Sequence, residues 1–345
     1  KRNGEFKKFY DNGQLRLLRF FKDDKLEGTM KDWYINGQLE SQLVHVNDKK
    51  HGEAKYWHEN GQLRNQVVFK DGFEQGEIEV FHDNGQIYQS CTMKNGKREG
   101  ECKQWHKNGQ LASQCYRSDD KIEGEHEDWY NNGQLAMRTH FSAGVKEGEH
   151  KQWYKHNGQV SILCHFSDGK RNGEFKKFYD NGQLRLLRFF KDDKLEGTMK
   201  DWYINGQLES QLVHVNDKKH GEAKYWHENG QLRNQVVFKD GFEQGEIEVF
   251  HDNGQIYQSC TMKNGKREGE CKQWHKNGQL ASQCYRSDDK IEGEHEDWYN
   301  NGQLAMRTHF SAGVKEGEHK QWYKHNGQVS ILCHFSDGKR NGEFK

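Results

Sequence analysis

Residues 1–169 recur unchanged as residues 170–338, and Lys339–Lys345 repeat the opening seven residues once more. Inside each copy runs a shorter period. Asn-Gly-Gln begins at Asn12, Asn36, Asn60, Asn84, Asn108, Asn132 and Asn157, in steps of 24 residues except the last, where the inserted His156 makes 25. A fixed short period excludes an ordinary globule, because no 24-residue unit can enclose a core of its own. Such units bury apolar surface only by stacking on their neighbours. The domain organisation read from the sequence is therefore two seven-unit copies, 1–169 and 170–338, with 339–345 starting a third.

Apolar and polar residues alternate with period two, which indicates strands. Each unit reads as two of them, about Gly4–Tyr10 and Gln14–Phe21 in the first. Asn-Gly on one side and turns such as Lys70-Asp71-Gly72 or Lys94-Asn95-Gly96 on the other are strong hairpin signals. Proline is absent from all 345 residues. Proline lacks the backbone donor a ladder needs, so its absence suits an uninterrupted ribbon.

An aromatic recurs before each Asn-Gly turn (Phe9, Trp33, Trp57, Phe81, Trp105, Trp129, Trp153). An aliphatic recurs after it (Leu15, Leu39, Leu63, Ile87, Leu111, Leu135, Val160). A two-residue loop would pair Tyr10 with Leu15 and leave Phe9 on the other face. A three-residue loop, with the turn glycine in the left-handed region, pairs Phe9 with Leu15. The three-residue loop is therefore expected, with turn-forming pairs Asn12-Gly13, Asn36-Gly37, Asn60-Gly61, Asn84-Gly85, Asn108-Gly109, Asn132-Gly133 and Asn157-Gly158. The same reasoning at Phe21–Lys25 carries the register onward. One face then holds Phe9, Leu15, Leu17, Arg19 and Phe21, with Glu5 and Lys7 in mid-strand, and the other holds Phe6, Lys8, Tyr10 and Gln14. Gly4, Gly28, Gly52, Gly76, Gly100, Gly124 and Gly148 read as points where the ribbon curls. The aromatic–aliphatic stripe is the candidate packing or interface surface.

The pattern Gly-Glu-x-Lys-x-Trp-Tyr-x-Asn-Gly-Gln-Leu, followed by Asp-Gly-Lys as at Asp168–Lys170, resembles the MORN-variant repeat of the YwqK-like bacterial proteins. The resemblance extends over the whole chain. It implies serial antiparallel hairpins and a scaffold or interaction role, and it brings no catalytic residues with it. The expected fold is all-β: a solenoid-like array of about fourteen hairpin repeats forming one continuous twisted, curled sheet.

Cys91 and Cys115 share a repeat position one unit apart, roughly 9.6 Å, whereas a disulfide needs Cα atoms within about 7 Å. Cys102 falls on the opposite face under the expected register. The four cysteines of each copy, Cys164 included, are therefore expected to be reduced apolar fillers. Reduced cysteines favour a cytoplasmic site, with a surface or extracellular fibre as the alternative. His58, His82 and His106 share one position and His126 and His150 another, too far apart to converge on one zinc ion. Glu101, Lys103, Glu125 and Glu127 read as a solvated charge ladder.

No metal, cofactor or catalytic residue is expected, and the chain is read as no enzyme. Acids and bases balance at 53 each, without a basic run, which weighs against nucleic acid and anionic membranes. No apolar stretch approaches the ~20 residues that span a bilayer. No leader is visible, and the opening on Lys1 suggests a window cut from a longer array. The expected role is a structural repeat segment of a fibre or scaffold that associates with itself or with another protein. The rivals are a protein-binding module of antitoxin-like or effector type and, behind it, a membrane-surface scaffold.

Overall fold

The computed structural model describes residues 1–341, and these form strands and turns with no helix among them. The chain divides into two compact units, Lys1–Arg171 with Asp180–Gly182, and Asn172–Tyr179 with Gln183 onward. Within each unit the strands pair antiparallel in sequence order. Gly4–Phe9 pairs with Leu15–Lys22, Gly28–Trp33 with Leu39–Val46, and Lys49–Trp57 with Leu63–Lys70. The second unit repeats these pairings 169 positions later, as in Gly173 opposite Phe190.

Three local features generate the sheet. The Asn-Gly turn is a three-residue loop: the Tyr10 amide donates to the Gln14 carbonyl at 2.8 Å and the Gly13 amide to the Tyr10 carbonyl at 3.0 Å. Gly13 sits at φ +83°, a region that costs a residue with a Cβ about 1–2 kcal/mol. His156 lengthens the loop by one, so the Tyr154 amide reaches Gln159 instead. The opposite turns are two-residue loops, not the three-residue loops expected at Phe21–Lys25. Lys22 faces Lys25, and Asp23 and Asp24 take φ +50° and +69°. Positive φ at both central residues matches the right-handed strand twist, and Asp, Asn and Gly tolerate it best.

The third feature overturns the expected faces. Phe9 does stand opposite Leu15, but Lys8 stands opposite Leu17, so Arg16 is an extra residue in its strand. The same bulge recurs at each Asn-Gly hairpin, for example between Gln104 and Trp105. Side chains alternate with period two, so a slip of one residue exchanges the faces of everything beyond it. Arg19 therefore lies across from Phe6, not with Glu5 and Lys7. The charged mid-strand positions go to the exposed face. The pair of positions held by Phe6 and Arg19 becomes the buried row.

That row is the core. Met30 faces Leu43, Ala54 faces Val67 and Ile78 faces Cys91. Met30, Leu43, Ala54, Val67 and Phe69 form one buried cluster, and Cys91, Cys102 and Cys115 a second, with Ile78 packed against both. The aromatic–aliphatic stripe flanks this core. Phe9 is 55% exposed, and its equivalents from Trp33 to Trp153, with Leu15 through Val160, are half-buried.

Candidate functional site

The Asn-Gly-Gln turns are built to stack. The Asn12 side-chain oxygen accepts from the Gln14 amide at 3.0 Å, while its amide nitrogen donates to the Ile35 carbonyl of the next turn at 3.3 Å. Asn36, Asn60, Asn84, Asn108 and Asn132 reach Glu59, Asp83, Lys107, Asn131 and Lys155 in the same way. Asn157 does so toward Asp180. The third residue stacks too. A Cβ on Gly61 would stand 2.9 Å from the Gln38 side chain, so a bare glycine leaves room for the preceding glutamine.

The residue before each turn completes the joint, and its role is not apparent from one repeat alone. Tyr10 donates its hydroxyl to the Trp33 carbonyl at 2.7 Å, Tyr34 to Trp57 at 2.8 Å and Tyr130 to Trp153 at 2.8 Å. Where this position is histidine, the ring takes over: His82 Nε2 meets the Trp105 carbonyl at 3.2 Å and His106 Nε2 the Trp129 carbonyl at 2.9 Å. The alternation of Tyr and His in one column is the signal, since both carry a donor at the ring's far end. These histidines are inter-repeat joints. Among the described residues, no group of three or more His, Cys, Asp or Glu could hold a metal ion.

The most chemically dense place lies where the buried row turns polar. A recess of about 380 Å³ is lined among others by Gln89, Arg98, Ser113, Arg117, His126 and Asp128, around Cys91, Cys102 and Cys115. Its counterpart in the second unit carries the same residue types around Cys260, Cys271 and Cys284. The Arg16-type bulge at Ala112 sets Cys102 opposite Cys115, and a separate register shift between Arg98 and Cys102 sets it opposite Cys91. Cys102 faces Cys91 on one side and Cys115 on the other.

This corrects the expectation that Cys102 lies on the opposite face and that all cysteines are reduced. Cys91 and Cys102 form a disulfide with Cα atoms 4.2 Å apart, as do Cys260 and Cys271. The cysteines thus no longer argue for a reducing compartment. Cys115, Cys164, Cys284 and Cys333 remain free and buried. Burial raises the Cys115 thiol above its ordinary range, with the charges of Arg117 and Arg98 acting against it. Burial pushes the Cys164 thiol up to about 11, opposed by Arg171 and Lys146.

Ser113, His126 and Asp128 invite comparison with a hydrolase triad, and their geometry rejects it. Ser113 Oγ lies 3.0 Å from His126 Nε2, and Asp128 Oδ1 lies 3.1 Å from the same nitrogen. A relay needs the carboxylate on one ring nitrogen and the nucleophile on the other. Burial opposes the Asp128 charge, but hydrogen bonds from His126 and Ser113 outweigh it and hold the carboxyl below its ordinary range. Deeper in the row Thr139 Oγ1 meets His150 Nδ1 at 2.6 Å, both buried. Burial, aided by the Lys146 charge, lowers the His150 pKa.

The sequence pattern described as MORN repeat variant matches ten segments: residues 2–23, 50–71, 74–95, 98–119, 122–143, 171–192, 219–240, 243–264, 267–288 and 291–312. No curated protein sequence matches the chain. Among solved structures, a TcdB2-TccC3-Cdc42 crystal structure aligns with 96% of this chain and 22% of its own, at 9% identity and a TM-score of 0.17. A Photorhabdus luminescens Tc holotoxin pore carrying TccC3-D651A aligns over 98% and 22%, at 10% identity and a TM-score of 0.19. The chain spans about a fifth of the length of these structures, and scores so low carry no argument. The matched segments cover more than half of the sequence, and the chain belongs to the MORN repeat variant family.

Proposed function

We propose that this chain is a structural repeat segment, part of a fibre or scaffold that associates laterally with further copies or with another protein, and that it performs no catalysis. The observation that carries this reading is the regular outward surface. Lys7 pairs with Glu5 at 2.8 Å, Lys55 with Glu53 at 3.0 Å, Lys103 with Glu101 at 2.7 Å and Lys151 with Glu149 at 2.6 Å. Within each copy one charged motif is thus displayed on every second repeat, with adjacent repeats carrying it where the copies join (Glu149–Lys151, then Glu174–Lys176), and the turn joints hold its spacing. Exposed pairs of this kind add little stability. They do offer a second chain the same contact at regular intervals, so weak contacts can sum along the array.

The test is sedimentation velocity with negative-stain microscopy over a range of concentration and salt. Lateral assemblies that grow with concentration and dissolve as salt screens the charges are expected. A monomer at all concentrations that captures one defined protein would replace this reading with the binding module. Salt-sensitive binding to anionic vesicles would favour the membrane-surface scaffold.

A further inference from the structure

We propose that the row Cys91, Cys102 and Cys115 is a thiol–disulfide exchange site, in which the cross-strand bond moves between two neighbouring strand pairs. The central cysteine faces both others in the ladder: Cys102 stands opposite Cys91 on the strand Ile87–Lys94 and opposite Cys115 on the strand Leu111–Ser118. Adjacent strands lie about 4.8 Å apart, so both partners fall within the roughly 7 Å Cα limit for a bridge. One bridge is in place, and the third cysteine remains a thiol beside it.

The step is internal and balanced. Cys115 gives up its proton to solvent in the recess, and its thiolate attacks Cys102 Sγ. The new bond is Cys102–Cys115; the Cys91–Cys102 bond breaks, and Cys91 leaves as a thiolate that takes a proton. No electron enters or leaves. Polar and charged groups stand at both ends of the exchange, working against the burial that holds the Cys115 thiol above its ordinary range. Gln89 Nε2 donates to Cys91 Sγ at 3.4 Å, where the leaving charge appears. Arg98 and Arg117 line the same recess and supply positive charge near Cys115. The second unit repeats the arrangement, with Gln258 Nε2 donating to Cys260 Sγ at 3.3 Å beside the thiol of Cys284. The consequence is mechanical: the covalent tie locks Lys97–Trp105 either to the strand before it or to the strand after it.

Trypsin makes the exchange readable. Cleavage after Lys94, Lys97, Arg98, Lys103 and Lys107 places the three cysteines on three different peptides. The full chain, oxidised with a diazenedicarboxamide and freed of reagent, is held without added thiol at pH 7 and at pH 9. Aliquots are quenched with acid, capped with N-ethylmaleimide, digested and mapped. The Cys102 peptide is expected linked to the Cys91 peptide and, in a second population, to the Cys115 peptide. Both pH values should approach the same ratio, about tenfold faster per pH unit while Cys115 is mostly protonated.

Cys91→Ser made together with Cys260→Ser should give the Cys102–Cys115 bridge alone after oxidation. Cys115→Ser with Cys284→Ser should abolish the second population. A wild-type map holding only the Cys91–Cys102 bridge at every time and pH, or no bridge among the three, would overturn the proposal. So would two free thiols at Cys102 and Cys115 in an oxidised, natively folded Cys91→Ser, Cys260→Ser chain. If that variant does not fold, the wild-type map decides by itself.

Discussion

Phe69 and Phe73 lie four residues apart and test where the core is. Phe69 is 7% exposed within the cluster of Met30, Leu43, Ala54 and Val67, and the Lys50 ammonium stands 4.9 Å from its ring centre. Phe73 is 58% exposed, with its ring edge 3.5 Å from where a Cβ on Gly96 would stand. Truncating a buried Phe to Ala costs about 3–5 kcal/mol. A single sheet relaxes more readily around a gap than a closed core does, so the lower end, about 3 kcal/mol, applies to Phe69→Ala. Phe73 keeps under half of its surface covered, some 80 Å², which at ~25 cal/mol per Å² and less the share alanine retains leaves about 1 kcal/mol.

The difference of about 2 kcal/mol corresponds to roughly a 30-fold change in opening. A global melt is a poor measure for an array that unfolds piecewise. The assay is native-state hydrogen exchange of the strands Lys49–Trp57 and Leu63–Lys70, read by mass spectrometry. Substitution in the first copy alone shifts the mass of the altered peptides, so the peptides around Phe238 and Phe242 remain as an internal reference. Equal acceleration by the two substitutions, or a larger effect from Phe73→Ala, would refute the placement of the core on the face that carries Val67 and Phe69.

Further outcomes are expected elsewhere. Gly13→Ala meets nothing within 4 Å, so its cost of about 1–2 kcal/mol is purely conformational, whereas Gly100→Ala also brings its Cβ to 3.3 Å from Thr92 and should open its hairpin more readily in the same exchange experiment. Tyr34→Phe removes the 2.8 Å bond to the Trp57 carbonyl and should loosen that joint by about 0.5–1.5 kcal/mol, seen as faster exchange at the paired turns. His150 binds its proton less readily folded than unfolded, so the neutral ring's contribution is complete above the unfolded pKa near 6.5 and is lost as pH falls through the lower folded value. Opening of the strands Leu135–Ser142 and Val145–Trp153, read by hydrogen exchange corrected for the intrinsic rate, should therefore rise between pH 7.5 and pH 5, and His150→Gln should flatten that slope; an unchanged slope would remove His150 as its cause. Cys164, with its thiol near 11, should alkylate at pH 8 at least tenfold more slowly in the folded chain than in urea.

Much of the architecture was legible because it is written locally and repeatedly. Period-two alternation gives strands, and Asn-Gly with a missing proline gives turns and an unbroken ladder. Matching Phe9 to Leu15 was enough to select the three-residue loop, since only that loop brings the two columns together. The double duty of Asn12, and of the Tyr or His before it, was not legible in one unit because each bonds a carbonyl 23 residues away. The column running Phe6, Met30, Ala54, Ile78, Cys102, His126, His150 did carry a trace of the core, being free of Lys, Arg, Asp and Glu between the charged columns of Glu5 and Lys7. Arg19, across from Phe6, disguised it.

By itself the amino-acid order determined the repeat, the hairpins, the sites of both turn types and the family. Only the folded ladder decided which face is buried. That choice rests on one unpaired residue per Asn-Gly hairpin, Arg16 and its equivalents, and on the two-residue length of the opposite turns. The extra residue is set by how two strands settle against each other, and no side chain at that position announces it. Together with the two-residue turn at Asn95-Gly96 and the register shift between Arg98 and Cys102, that slip places Cys102 between Cys91 and Cys115, and a set of apparently inert fillers becomes a row of sulfurs within bonding distance.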